Sequence, residues 1–262
     1  REEDRLARRY TDNLEAYDYA LRGLDYYFRF TKEAYEPALK MFEKAIELDS
    51  TYALAYSWLG LTHLHGWTQG WNRDPREVDL AFELVQKAIA LDDTLSEPHR
   101  ILGDIYLYKK MHDRAIAARQ KAIALDPNNA DGLAGLGEVL IYDGKIDEGI
   151  AFVKKAIRLN PHHHAWYFWI LGLAFALQYR YNEAEEILKR ALIRHPDFFV
   201  LHLSLAVIYV ETGRLKEARA AVAETLKVNP DLSSELIREM APFKDQEIVE
   251  QIVEVLQNAG LK

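Results

Sequence analysis

Apolar residues along this chain recur at three- and four-residue intervals, the spacing that places them on one face of an α-helix, with charged residues on the other. The amphipathic stretches come in pairs. Each pair closes on a segment of the form A-I-x-L-x-P or a near variant, and in the later part of the chain these segments end at Pro127, Pro161, Pro196 and Pro230, separated by 34, 35 and 34 residues. A fixed period of about 20 to 50 residues predicts stacked copies of one supersecondary unit, here a pair of helices.

Aligned on the prolines, Leu102, Gly103, Tyr106, Ala115 and Ala122 recur as Leu136, Gly137, Leu140, Gly149 and Ala156, then as Leu171, Gly172, Phe175, Ala184 and Ala191. The last unit has Leu205, Ala206, Tyr209 and Ala218, with Thr225 in place of the final alanine. Small residues on each helix let the paired backbones approach closely, and Leu, Tyr and Phe fill the adjoining holes. Proline stops the second helix because it has no backbone N–H to donate. Gly144 and Gly213 fall in the turns within pairs.

Two earlier units carry insertions. One holds Leu59, Gly60, Ala81 and Ala88 with a nine-residue excursion from Gly66 to Asp74; the first holds Gly23, Tyr26, Ala38, Phe42 and Ala45 with three extra residues between Phe30 and Pro37. The organisation predicted is a charged linking segment (1–12), six repeats within 13–230 (about 16–52, 53–95, 96–129, 130–164, 165–198 and 199–232) and capping helices over 233–262 broken at Pro242.

This pattern, W-x2-L-G-x2-Y, then A-x3-F, then A-x4-P, resembles the tetratricopeptide repeat over roughly residues 13–230. The resemblance implies an all-α, right-handed superhelical solenoid of antiparallel helix pairs. The chain departs from it at the first-helix aromatic position (His99, Leu133, Phe168, His202) and at Arg119, which stands at a second-helix aromatic position. The opening NLEAYDYALRGLDYY, the GW-containing excursion, PHHHAWYFWILGLA and the closing LQNAGLK are also similar to the C-terminal repeat region of bacterial class III adenylate/guanylate cyclases. That second likeness implies a regulatory or assembly module, without the cyclase domain's metal-binding aspartates.

Composition narrows the function. A net charge of -8 repels phosphate backbones, so nucleic acid is not an expected partner. The longest apolar run, Ala165 to Leu177, is too short for a membrane span of about 20 residues. The absence of cysteine excludes disulfides and thiol catalysis, and a start at Arg1 with no export signal reads as a piece of a longer cytoplasmic protein. No G-x-S-x-G, H-E-x-x-H or G-x-G-x-x-G motif is present, and the run His162-His163-His164 reads as a solvated turn rather than a metal site. Neither enzyme activity, cofactor nor metal is expected.

The register assigns a ligand groove to the first helix of each pair, as the resemblance implies. Its members include Tyr27, His65, Arg100, Asp104, Tyr108, Glu138, Tyr142, Trp166 and Trp169, an aromatic set with an acidic middle. The Lys/Asn clamp that related domains use for a terminal carboxylate is missing. Aromatics on this face either anchor a peptide or helix, or pack between helices. Trp67 and Trp71 in the excursion either project as a contact loop or fold back over a helix pair. The reading is a non-catalytic scaffold for a protein or peptide partner, with homodimerisation as one form of it. A helical toroid enzyme and a small-molecule-sensing repeat domain are the alternatives.

Overall fold

The computed structural model describes residues 11–161 and 165–262. The three-histidine run and all but the last two residues of the linking segment lie outside that range. Fourteen helices and no strands occur among the described residues. They are α1 (Leu14–Phe28), α2 (Lys32–Leu48), α3 (Ala53–Thr68), α4 (Arg76–Leu91), α5 (Ser96–Tyr108), α6 (His112–Leu125) and α7 (Ala130–Tyr142). Then come α8 (Ile146–Leu159), α9 (Ala165–Leu177), α10 (Tyr181–Arg194), α11 (Phe199–Glu211), α12 (Leu215–Val228), α13 (Ser234–Met240) and α14 (Gln246–Asn258). The chain forms two compact units, one holding residues up to Tyr106 with Asp113–Pro127, the other Leu107–His112 with Asn128–Lys262.

In the first unit α1 packs on α2, α2 on α3 and α3 on α4. Ala38, Ala45, Ala81 and Ala88 are fully buried at these seams, and the Phe42 ring lies against Gly23, whose added Cβ would sit 2.6 Å from it. Burying a side chain the size of Phe42 contributes about 2–3 kcal/mol. The unit opens with Asn13, whose side chain accepts from the amides of Glu15 and Ala16 and so caps α1.

The second unit repeats the arrangement in α7/α8, α9/α10 and α11/α12. In the first of these pairs the backbones approach closely: a Cβ on Gly137 would lie 2.7 Å from the Gly149 carbonyl oxygen. Thr225 replaces an alanine without leaving a buried hydroxyl unpaired, because its Oγ1 donates to the Ala221 carbonyl at 3.0 Å.

The turn inside each pair uses one left-handed residue. Phe30 and Gly70 serve in the first unit, and Lys110, Gly144, Tyr179 and Gly213 in the second, the last four at the spacing of the prolines. At Gly144, Tyr179 and Gly213 the next residue's amide reaches back to the carbonyls of Leu140, Phe175 and Tyr209, the six-to-one bond of a Schellman ending. Glycine meets the positive φ at no steric cost; Tyr179 and Lys110 adopt it against their Cβ atoms.

The excursion after α3 differs from an open loop. Its first residues, Gly66 to Thr68, extend α3 itself, and Trp71 then folds back, 5.6 Å edge-on to Phe30 and 6.0 Å from the Tyr35 ring. Gly66 leaves the room in which the Tyr35 ring sits. Beneath it His63 Nδ1 lies 2.6 Å from Glu77 Oε2, and the Tyr35 hydroxyl donates to the same oxygen at 3.3 Å.

Candidate functional site

In the first unit, α1, α3 and α5 supply the face to which the groove was assigned. The Tyr27 hydroxyl and His65 Nδ1 are 2.9 Å apart and their rings stack, 5.3 Å between centroids at 13°. Trp58 meets Tyr27 edge-on at 5.3 Å, and Phe30 meets His65 edge-on at 5.5 Å. Burial, and after it the Arg100 charge, pushes the imidazole down to about 4, so His65 is neutral near pH 7. Phe28 and Phe30 remain 47% and 39% exposed beside it.

Arg100 sits on α5, the first helix of the next pair. Its guanidinium makes two bonds to Glu97, at 2.8 and 2.6 Å, and a longer one of 3.4 Å to Asp104. Burial alone would lower its pKa, but the two carboxylates more than offset that and raise it, fixing the positive charge. Asp104 also pairs with Arg119, which reaches from α6 and is only 2% exposed. Gly103 makes this possible, since a Cβ there would lie 2.8–2.9 Å from the Arg119 side chain. The acids expected to present negative charge in this unit are therefore consumed by two arginines.

In the second unit the assigned residues separate into three situations. Trp166 and Trp169 on α9 are partly buried, each edge-on to a neighbouring ring, Tyr167 at 4.6 Å and Phe198 at 6.5 Å. Tyr108 and Glu138 are partly buried, and both press electrostatically on Tyr142. Tyr142 is 5% exposed and closed over by the chain's own Phe243, edge-on at 4.8 Å; burial first, then Glu138 and Tyr108, raises its hydroxyl pKa. The sequence singled out Tyr142 but gave no hint of Phe243, whose only signal was the helix break at Pro242.

Trp67 lies within α3, and Trp71 is committed to the Phe30–Tyr35 cluster, so neither stands on a projecting loop. Among the described residues no cluster of three or more His, Cys, Asp or Glu is placed to hold a metal ion, and no helix is long and apolar enough to cross a membrane.

Tetratricopeptide-repeat family models match residues 102–164, 134–197 and 175–238. No curated protein matches the chain in sequence. Among solved structures, a thermophilic tetratricopeptide-repeat protein of Thermus thermophilus is 25% identical at a TM-score of 0.59, covering 72% of this chain and 98% of its own. The APC/C Cut9–Hcn1 hetero-tetramer aligns at 18% identity and a TM-score of 0.68 over 99% of this chain, which spans 45% of that protein's length. PilF of Pseudomonas aeruginosa aligns at 19% identity and a TM-score of 0.56, covering 83% of this chain and 93% of its own. None of these matches is a nucleotide cyclase. Proteins built from this repeat generally serve as interaction scaffolds without catalytic activity. With matches running over residues 102–238, just over half of its length, and the same helix-pair architecture throughout, the chain belongs to the tetratricopeptide-repeat proteins.

Proposed function

We propose that this chain is a non-catalytic scaffold that binds a peptide or helix of a partner protein on the first-helix face of its first unit, anchoring it on Tyr27, Phe28, Phe30 and His65. The observation that carries this reading is a row of half-exposed aromatic rings beside a neutral imidazole, next to a cluster in which Arg100 and Arg119 already balance Glu97 and Asp104. Such a surface has aromatic anchors at little desolvation expense and no unpaired charge to repel an apolar segment. A peptide library displayed against the immobilised full chain should enrich sequences rich in Leu, Phe or Trp. Their affinity should fall about tenfold on Phe28→Ser, the loss of one anchor of this size. Enriched peptides that bind the variant as tightly would overturn the site.

The finer reading, a regulatory or assembly module of a larger cytoplasmic bacterial signalling protein, is supported by the sequence likeness to cyclase repeat regions; a gene in which the codon for Arg1 follows no such domain would remove it.

A further inference from the structure

The last helix does not simply extend the stack. A helix continuing the array would pack mainly on the second helix of the last pair and less on its first, as α3 does on α2 and α1 and α11 on α10 and α9. Instead α14 packs chiefly on α11, a first helix, and on the short α13. It shows that face an aliphatic stripe of Val249, Val253 and Leu256, all buried, and turns Glu247, Glu250 and Glu254 to solvent.

The turn that leads into α14 reaches two repeats back, to the end of α7. Phe243 is buried against Tyr142, the Lys244 amide donates to the Tyr142 carbonyl at 3.0 Å, and Lys244 Nζ lies 2.6 Å from Asp143 Oδ1. Lys110 donates to Gln246 Oε1 at 3.0 Å. Asp245 caps the helix by accepting from the Glu247 amide. An aromatic anchor, a main-chain bond, a cation on a buried carboxylate and a spaced aliphatic stripe are the elements by which a groove recognises a helix in trans.

Departure of this segment would leave no stranded charge. Asp143 keeps a second partner, Lys145, at 2.7 Å, and the outward face of α14 is already polar. We propose that the first-helix face of the second unit is a helix-binding groove whose resident occupant is α14, and that a partner helix with the same aromatic–lysine turn and aliphatic stripe displaces it. This site is separate from the aromatic surface of the first unit, and Phe28→Ser leaves it untouched.

The test uses the full chain and a labelled peptide of residues 241–262. Loosening the resident segment with Phe243→Ala and Lys244→Glu should raise the chain's affinity for the peptide at least about tenfold over the unaltered chain, and the same two changes in the peptide should abolish binding. Hydrogen exchange on the unaltered chain supplies the check that survives if the variant folds poorly: α14 amides should exchange through an opening that leaves α11 and α12 protected. Exchange of α14 only together with α11 and α12, or equal peptide affinity for both chains, would overturn the proposal. Dimerisation of the loosened chain with no peptide bound would make a second copy the occupant and would equally overturn assignment to a separate partner.

Discussion

Gly137 and Gly132 lie on the same helix, yet alanine should act on them in opposite directions. In a helix interior glycine gives up about 1 kcal/mol to alanine, so propensity alone favours both substitutions. At Gly132 nothing opposes it: the new Cβ would meet only the Asn129 side chain at 3.6 Å, an ordinary contact. Gly132→Ala should therefore stabilise α7 by up to about 1 kcal/mol. At Gly137 the Cβ would lie 2.7 Å from both the Gly149 carbonyl oxygen and Val153 Cγ2, about 0.7 Å inside the 3.4 Å at which ordinary contact begins. One obstacle is backbone, so no rotamer relieves it and α7 and α8 must part. Overpacking of this kind costs typically about 1–3 kcal/mol, which offsets the propensity gain of about 1 kcal/mol and leaves a net loss of up to about 2 kcal/mol. Native-state hydrogen exchange of the α7 and α8 amides reads the effect locally, which a global melt of a two-unit repeat protein does not. Equal slowing of exchange by both substitutions would refute the claim that backbone contact, rather than propensity, dictates glycine at 137.

The other expectations concern charge and strain. Asp104→Ala should destabilise the first unit by about 3–5 kcal/mol by leaving Arg119 buried without a countercharge, whereas Arg119→Met should be neutral or stabilising, since Asp104 retains Arg100; urea midpoints that fall equally for both would contradict this. Tyr179→Gly should raise stability by up to about 1 kcal/mol, because the residue holds φ 60° with its side chain 78% exposed; a lowered midpoint would show that the Tyr181 contact outweighs the strain. His65 is held neutral down to about pH 4, against an ordinary 6.5, so between those values the unfolded chain binds a proton that the folded chain refuses. Stability should thus fall as pH drops through that window, by at most about 3 kcal/mol, and the fall should be shallower in His65→Gln when unfolding is followed against pH.

Much of the fold is legible in the sequence because the repeat writes its packing rules into residue size. Ala38, Ala81, Ala115 and Ala184 must be small for the same reason at each seam, so one alignment reveals them all. The left-handed turn is half legible: Gly144 and Gly213 announce it, whereas Tyr179 and Lys110 conceal the same backbone, because tertiary packing on either side can impose φ at a non-glycine residue. The candidate site is less legible. Arg100 and Asp104 are visible as polar residues on the first-helix face, but their neutralisation depends on Arg119 crossing from α6, a pairing that appears only when Gly103 opens the way. Tyr142 reads as a groove residue by register and is covered by Phe243, about a hundred residues later, with no periodic signal linking the two.

The trio Gly103, Asp104 and Arg119 bears on modularity. Helix-pair repeats are often treated as bricks that can be duplicated, shuffled or grafted, since each touches only its neighbours. Here a helix carries a charge whose complement is written on the preceding helix, together with the gap that admits it. Recombining α6 with α1, α3, α9 or α11 would bury an arginine opposite Leu24, Leu61, Leu173 or Val207, where no carboxylate stands; of the other first helices only α7, with Glu138 next to Gly137, repeats the gap and the acid. Exchange in this array therefore favours cuts between pairs at this point, moving residues 96–125 together.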